Sequence, residues 1–325
     1  MTFRKKFKIQ VLAAMTITLH LTVVALLVVI SSAYKFNMNR PSIAAFHVLW
    51  TKPYTAGGNH FSMNNAEILT LMVSALMWQK HNGSIKLYTD NDGLEFIRSM
   101  KLSALWDDGI NTEVLENNDY PIDPEIFWAA GKLIALEAQA GPCVMFDTDL
   151  IITQPIQHLL EPTTITALHS EALNPEVYLH PSLLKQPSGF HFPKDYNWNV
   201  LPSNTAFLYI KDESFRNFYL NESKQFMFQN MEKPAELISQ MVFAEQRLLS
   251  ICAYHQHLPI SYLLADPFSL SNSSVIHLWG FKNLLRQNET VQAIYSKQLI
   301  KKFGEELSAY PLFTRQIEKL KQYNQ

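Results

Sequence analysis

The stretch from residue 141 to residue 156, GPCVMFDTDLIITQPI, restricts the possible folds of this chain more than any other. The apolar run Cys143–Phe146 ends at once in Asp147-Thr148-Asp149, and the second apolar run Leu150–Ile152 follows. This pattern predicts a buried strand that reaches the surface at its carboxyl end, where ligands bind in open α/β sheets. Two neighbouring carboxylates repel unless a proton or a cation lies between them. A divalent ion shared with substrate phosphates satisfies that requirement, and a solvated aspartate-rich turn is the alternative.

Apolar runs of strand length alternate with longer segments of helical periodicity over residues 43–282. The alternation predicts βαβ units, a mostly parallel sheet and flanking helices. The absence of a G-x-G-x-x-G fingerprint and of a P-loop disfavours dinucleotide oxidoreductases and kinases of those types. The predicted strands are 43–50, 84–89, 112–115, 143–146, 164–169, 204–210 and 274–277, and the predicted helices are 64–81, 94–105, 125–140, 215–229, 235–253 and 291–325.

The amino terminus has the composition of a membrane anchor. Four basic residues lie within residues 1–8, and residues 9–34 contain no Asp, Glu, Lys or Arg over a length that can cross a bilayer as a helix. We expect a cytoplasmic basic tail (1–8), a transmembrane anchor (9–34), a short stem (35–42) and one large domain (43–325). Cleavage of a signal peptide at Ser31-Ser32-Ala33 is the alternative. The net charge of −2 argues against a nucleic-acid partner.

A second motif follows the last predicted strand. His277-Leu278-Trp279-Gly280-Phe281-Lys282 fits H-x-x-G-x-K. Together with Asp147-Thr148-Asp149, it resembles the motif pair of the GT-A glycosyltransferases, in particular the glycogenin and bacterial galactosyltransferase type. The resemblance implies that Asp147, Asp149 and His277 bind Mn²⁺ (or Mg²⁺), that Lys282 contacts the donor diphosphate, and that Gly280 lets the backbone approach it. The imidazole favours Mn²⁺. A core or capping histidine and a solvated lysine are the alternatives.

The resemblance also implies the fold and the activity. The expected fold is α/β, a GT-A type, Rossmann-like and mostly parallel sheet flanked by helices, with an N-terminal transmembrane helix before it. The expected activity is metal-dependent transfer of a sugar from a nucleotide-sugar donor, a UDP-sugar on family grounds, to a glycan, lipid or protein acceptor. A metal ion and a lysine both stabilise the charge that develops on the leaving diphosphate. The Pro-Trp that often follows this lysine in the family is Asn283-Leu284 here.

Two further residues are candidates on the donor side. In the family, the helix before the D-x-D often carries a basic residue that faces the donor, and Lys132 is the candidate here. Asp90 ends the second predicted strand, where it is a candidate contact of the nucleoside. An ordinary turn aspartate is the alternative for Asp90.

Four residues are candidates on the acceptor side. Asn204 and Thr205 begin a predicted strand and are candidate contacts of the sugar or the acceptor; capping of that strand is the alternative. Glu245 and Gln246 lie where related enzymes place acceptor-side or catalytic groups. A solvated helix face explains that pair equally well.

The proposed location follows from the donor. A single-pass type II protein needs nucleotide sugar on the far side of the membrane, which a Golgi lumen supplies if the host is eukaryotic; in a bacterium, a membrane location requires another topology or route. Two rival functions stay open. One is a metal-dependent phosphohydrolase or nucleotidyltransferase that uses the same carboxylates. The other is a non-catalytic, membrane-tethered binding protein on a degenerate transferase fold.

Overall fold

The structure is a computed structural model that describes residues 43–184, 191–229, 233, 237–266, 274–278 and 280–315. The basic tail, the anchor and the stem expected in residues 1–42 lie outside these residues, as do Trp279 and the end of the predicted C-terminal helix. Within the described ranges, no helix combines the length and the apolar composition that a membrane crossing needs.

A seven-stranded sheet carries the fold of the described residues. The strands of this part of the chain are β1 (Ala45–Leu49), β2 (Ile85–Thr89), β3 (Ile110–Asn111), β4 (Cys143–Phe146), β5 (Leu150–Ile152), β6 (Ile165–Ala167), β7 (Phe207–Ile210), β8 (Ile260–Tyr262) and β9 (Val275–His277). The sheet has the order β3-β2-β1-β4-β7-β6-β8, and only β7 runs antiparallel to its neighbours. The predicted α/β class and mostly parallel sheet are therefore confirmed.

Helices cover both faces of this sheet. The helices of the described residues are α1 (Lys52–Thr55), α2 (Asn65–His81), α3 (Asn91–Ser99), α4 (Glu113–Glu116), α5 (Ala130–Glu137), α6 (Gln157–Leu160), α7 (Glu213–Gln229), α8 (Leu237–Val242), α9 (Leu248–His255), α10 (Lys282–Gln287) and α11 (Glu289–Leu307). Because side chains alternate along a strand, Ala45 and Leu49 of β1 join the core beneath α2, whereas Phe46 joins the core beneath α5 and α7. Both faces are closed, so ligands must approach the ends of the strands.

The beginning of α2 is fixed by a reciprocal cap. The side chain of Asn64 accepts a hydrogen bond from the Glu67 N–H, and the Glu67 carboxylate accepts one from the Asn64 N–H, both at 2.9 Å. This capping box satisfies backbone donors that a helix leaves open at its first turn. It also fixes Glu67, which is 7% exposed, at the edge of the pocket described below.

Several predicted elements differ from the structure, and a local hydrogen bond accounts for two of these differences. The strand predicted for residues 112–115 is wrong, because the Asn111 side chain accepts the Val114 N–H at 3.1 Å and the chain turns into α4. The helix predicted for 125–140 begins only at Ala130, since the Asp123 carboxylate accepts the Glu125 N–H at 2.8 Å and holds a turn before it. Strand β8 was not predicted; three residues give too short a pattern.

Candidate active site

The carboxyl end of β4 carries the two aspartates. Strand β4 pairs with β1 on one side and with β7 on the other, so its end lies in the middle of the sheet edge. The Asp147 N–H donates to the Ala206 carbonyl at 2.8 Å, and the Leu150 N–H donates to the Asp147 carbonyl at 3.0 Å. This tight turn sends the chain directly into β5 and leaves Asp147 and Asp149 at the mouth of a pocket.

A second, two-stranded sheet brings His277 to the aspartates. Strand β9 pairs antiparallel with β5, and His277 lies opposite Leu150, the residue after Asp149. Ligand atoms of Asp147, Asp149 and His277 all lie within 4.8 Å of one another. His277 Nε2 is 3.8 Å from Asp149 Oδ2. The two motifs that are distant in sequence therefore converge at one point.

The residues at this point fit a divalent cation. Asp149 is 5% exposed, and its Oδ1 is buried without a hydrogen-bond donor among the described residues. Buried carboxylate oxygens normally have a partner, and a cation would supply it. Burial lowers the pKa of His277, although the two aspartates raise it in part. The imidazole is therefore held in the neutral form that binds metals. Two carboxylates with one imidazole suit Mn²⁺ better than Mg²⁺.

Each of the two aspartates is paired with a lysine. Lys282 Nζ lies 3.0 Å from Asp149 Oδ2, and Lys132 Nζ lies 2.6 Å from Asp147 Oδ1. Burial raises the pKa of Asp147, but Lys132, Lys282 and His277 more than offset this and hold its pKa below the ordinary value. Asp147 therefore stays ionised. The chain reaches Lys282 through Gly280, whose φ of +74° is a left-handed conformation that favours glycine.

Glu245 is joined to the aspartates through Lys132. Its Oε1 accepts a hydrogen bond from Lys132 Nζ at 2.8 Å, and the residue is 1% exposed. The solvated helix face considered as an alternative is therefore wrong for Glu245. The π-helical turn Phe243–Arg247 between α8 and α9 carries both Glu245 and Gln246; such turns are frequent at functional sites. The Gln246 side-chain oxygen accepts a hydrogen bond from the Tyr178 hydroxyl.

The other acceptor-side candidates lie beside this turn. Asn204 donates to Glu171 Oε1 at 2.8 Å and accepts the Ala206 N–H at 3.0 Å, so its amide is engaged within the protein. Thr205 is buried beside Glu245, and burial raises the pKa of Glu245 although Lys132 lowers it in part. The structure thus gathers Thr205, Glu245 and Lys132 behind Asp147, while ligand contact by any of them stays a prediction.

Asp90 has a structural role away from the aspartate pair. One of its carboxylate oxygens accepts the Thr51 and Lys52 N–H groups at 2.7 and 3.1 Å, and the other accepts the Thr51 hydroxyl at 2.7 Å and the Gly93 N–H at 3.0 Å. It caps α3 and holds the loop after β1. Both carboxylate oxygens therefore accept hydrogen bonds within the protein. The alternative interpretation, a turn aspartate, explains the position of Asp90. Contact with a nucleoside stays a prediction.

A pocket open to solvent lies in front of these groups. Its lining combines aromatic rings, three basic side chains and three acidic ones. Sequence reasoning missed the aromatic rings and the pair formed by Glu67 and Arg286. The only signal for Arg286 was its position one helical turn after Lys282. The lining includes Trp50, Tyr54, Phe61, Glu67, Trp128, Lys132, Asp147, Asp149, Lys282 and Arg286.

Residues 46–310 match the sequence profile of a family of unknown function, DUF6734. The chain belongs to the DUF6734 family. A comparison of this DUF6734 protein with curated proteins gives no match.

Among solved structures, the DUF6734 chain is similar to three proteins that are named as transferases of sugars. At these values the similarity alone assigns no function, which must come from the side chains of the site. The three are mouse xyloside xylosyltransferase 1 in its apo form (8% identity, 68% of this chain and 85% of that chain, TM-score 0.39), the PaToxG glycosyltransferase (10%, 80% and 79%, 0.38) and the galactosyltransferase LgtC in complex with donor and acceptor sugar analogs (10%, 82% and 100%, 0.37).

Proposed function

We propose that this protein is a metal-dependent glycosyltransferase of the GT-A type. It moves a sugar from a nucleoside-diphosphate sugar, of the UDP type, to a glycan, lipid or protein acceptor. The observation that supports this proposal is the convergence of Asp147, Asp149 and His277 within 4.8 Å, with Lys282 Nζ 3.0 Å from Asp149. In the proposal, residues 9–34 anchor the enzyme in a membrane as a single-pass type II protein.

The chemistry requires that negative charge on the leaving diphosphate be stabilised. When bound by Asp147, Asp149 and His277, a divalent ion supplies Lewis acidity at the diphosphate. Lys282 places a fixed positive charge beside the same point, where its effect grows as charge develops. Gly280 leaves room for the backbone to approach a phosphate, since no atom of the described residues, its two chain neighbours aside, lies within 4 Å of the position that a Cβ would occupy.

The acceptor is proposed to bind on the Glu245 side. Lys132 lies between Asp147 and Glu245, at 2.6 and 2.8 Å, and so connects the metal ligands to the π-helical turn. In the proposal, Lys132 orients the donor, while Glu245, Gln246, Asn204 and Thr205 contact the sugar or the acceptor. The nucleoside stacks within the aromatic part of the pocket.

The test is incubation of the protein with a panel of UDP-sugars and candidate acceptors, with Mn²⁺ or with a chelator. We expect UDP release that needs the metal and rises with the right acceptor. The Asp149→Asn variant should lower this release by at least about a hundredfold, because a direct metal ligand is lost. Asp92→Asn, at an exposed position of α3, is the matched control.

Two results would contradict the proposal. Release of nucleoside monophosphate instead of UDP would indicate the phosphohydrolase or nucleotidyltransferase. Binding of UDP without any turnover, unchanged by Asp149→Asn, would indicate a binding protein that uses another face.

A further inference from the structure

We infer that Arg286 is a second phosphate-binding cation of the donor site and that Glu67 is its positioning residue. This inference rests on the proposed function, because it assigns a further contact to the same donor. Arg286 would bind the diphosphate group of a nucleoside diphosphate. It would therefore give that ligand a higher affinity than a nucleoside monophosphate. Lys282 and Arg286 together would then hold the two phosphates.

The placement of Arg286 puts it beside Lys282. The two residues are four positions apart in α10, so they lie on the same side of that helix. Both line the pocket that contains Asp147 and Asp149. The Arg286 side chain is 42% exposed, in contrast to the buried carboxylate with which it pairs. A ligand in the pocket can therefore reach the guanidinium.

Glu67 fixes the orientation of the guanidinium. Arg286 Nε donates to Glu67 Oε1 at 2.7 Å, while Glu67 Oε2 accepts the Asn64 N–H at the start of α2. The Glu67 side chain is only 8% exposed, so the pair is attached to a rigid helix end. Nε is one of five guanidinium donors. The Tyr54 side chain also hydrogen-bonds the guanidinium, and the remaining terminal N–H groups form the fork that binds phosphate oxygens in pairs.

Tyr54 supports the guanidinium from a second direction. The Arg286 Cζ lies 5.8 Å from the centre of the Tyr54 ring, within the range of a cation–π contact. Tyr54 also lines the pocket. The side chain is thus held between a carboxylate and a ring before any ligand arrives, which lowers the entropic cost of binding.

Arg286 also differs from the two lysines in its ionic partner. Lys132 and Lys282 pair with Asp147 and Asp149, the carboxylates proposed to bind the metal. Glu67 is not among these ligands, so a metal ion held by them would not compete for the carboxylate that pairs with Arg286. Arg286 therefore contributes a fixed set of donors whether or not the metal is present. An arginine that only joined α10 to α2 would not need to face the pocket.

The experiment measures the dissociation constants of UDP and UMP, each with Mn²⁺, by calorimetry on the full chain. We expect Arg286→Gln to weaken UDP binding by about tenfold or more, the value of a lost hydrogen bond to a charged group, and to change UMP binding much less. Arg286→Lys, which keeps the charge without the fork, should lose part of the discrimination. Glu67→Gln should raise the KM for donor more than it lowers kcat. Arg98→Gln, at an exposed position of α3, is the control.

Two outcomes overturn the inference and are distinguishable. If the wild type prefers UDP to UMP and Arg286→Gln keeps that preference, Arg286 does not contact the diphosphate, while the proposed function stands. If the wild type binds neither nucleotide and releases no UDP from any UDP-sugar, both proposals fail. Should Arg286→Gln not fold, the UDP-to-UMP ratio of Arg286→Lys decides, and an unchanged ratio overturns the inference.

Discussion

Lys132 is the basic residue on which two buried carboxylates of the site depend for their charge balance. It is the shared counter-ion of Asp147 and Glu245, at 2.6 and 2.8 Å, and all three side chains are largely buried. Burial lowers the pKa of Lys132, but the two carboxylates more than offset this and raise it above the ordinary value. The lysine therefore stays charged, and its loss would leave Glu245 without its ionic partner and Asp147 with the weaker influence of Lys282 and His277.

We predict that Lys132→Gln lowers the free energy of unfolding by about 3 kcal/mol, because a buried carboxylate without its partner is strongly destabilising. The double variant Lys132→Gln/Glu245→Gln should recover most of that loss, since the buried charge on Glu245 is then removed. Urea denaturation at neutral pH in the presence of a chelator measures both. A double variant no more stable than the single one would contradict this account.

The aspartates, His277 and Lys282 were found from short motifs, because each motif has a fixed spacing. Glu67 and Arg286 were missed, since an N-x-x-E cap and a helical lysine–arginine spacing are ordinary features that gain meaning only when a fold brings them together. The burial of Glu245 also depends on α7, whose Tyr219 hydroxyl donates to the Glu245 carbonyl at 2.7 Å. No local pattern in the sequence carries such information.

At the scale of elements, the close approach of α5 to the end of β1 shapes one wall of the pocket. A Cβ on Gly131 would lie 2.8 Å from the Cβ of Trp50, closer than real contacts allow. Both residues line the pocket. Glycine at this position therefore lets the helix that carries Lys132 pack against the residue that follows the strand.

We predict that Gly131→Ala lowers the free energy of unfolding by about 1–3 kcal/mol, as overpacking of a tight contact does, and that it displaces Trp50. Thermal unfolding measures the first effect and tryptophan fluorescence the second. Gly141→Ala is the matched control, because in the part of the chain that the structure describes no atom beyond its two neighbours lies within 4 Å of the added Cβ. If the two variants have equal free energies of unfolding, α5 moves to accommodate the added Cβ without loss of stability, which contradicts the prediction.

Element prediction succeeded where an apolar run has clear limits, as in β4, and where helical periodicity is long, as in α2. It failed at residues 112–115, where a local side-chain bond replaces the strand by a helical turn. The pairing of β5 with β9 was equally beyond reach, since register between distant strands is set by packing. That pairing nevertheless places His277 at the metal site.

At the scale of the whole molecule, one buried polar chain links the sheet to the site. Trp106 Nε1–H donates to His47 Nδ1 at 3.4 Å, so the neutral ring carries its proton on Nε2. That nitrogen lies 3.1 Å from the Ser74 hydroxyl, which donates to the Leu150 carbonyl at the start of β5. A second proton on His47 would face the N–H of Trp106. This arrangement joins β1, α2 and β5 only while His47 is neutral.

The stability of the domain should therefore depend on the protonation of His47. Burial lowers the pKa of His47 to about 3, although Asp147 raises it slightly. In the unfolded chain the pKa is about 6.5. Between these values the unfolded state binds more protons than the folded state, so stability falls as the pH falls. The contribution is complete above pH 6.5 or so and is lost towards pH 3.

We predict that this single group costs the metal-free wild type about 3 kcal/mol between pH 7 and pH 4.5, according to the linkage relation. The His47→Gln variant loses the hydrogen bonds of the ring, so its free energy of unfolding should be lower than that of the wild type at pH 7. Because it cannot take up this proton, the gap between the two free energies should narrow by about that amount at pH 4.5. Denaturation with urea at each pH measures the gap, and His158→Gln, at an exposed position, is the control. If the gap stays constant with pH, His47 accepts a proton in the folded state without loss of stability. The hydrogen-bonded chain from Trp106 to Leu150 would then not depend on the neutral ring.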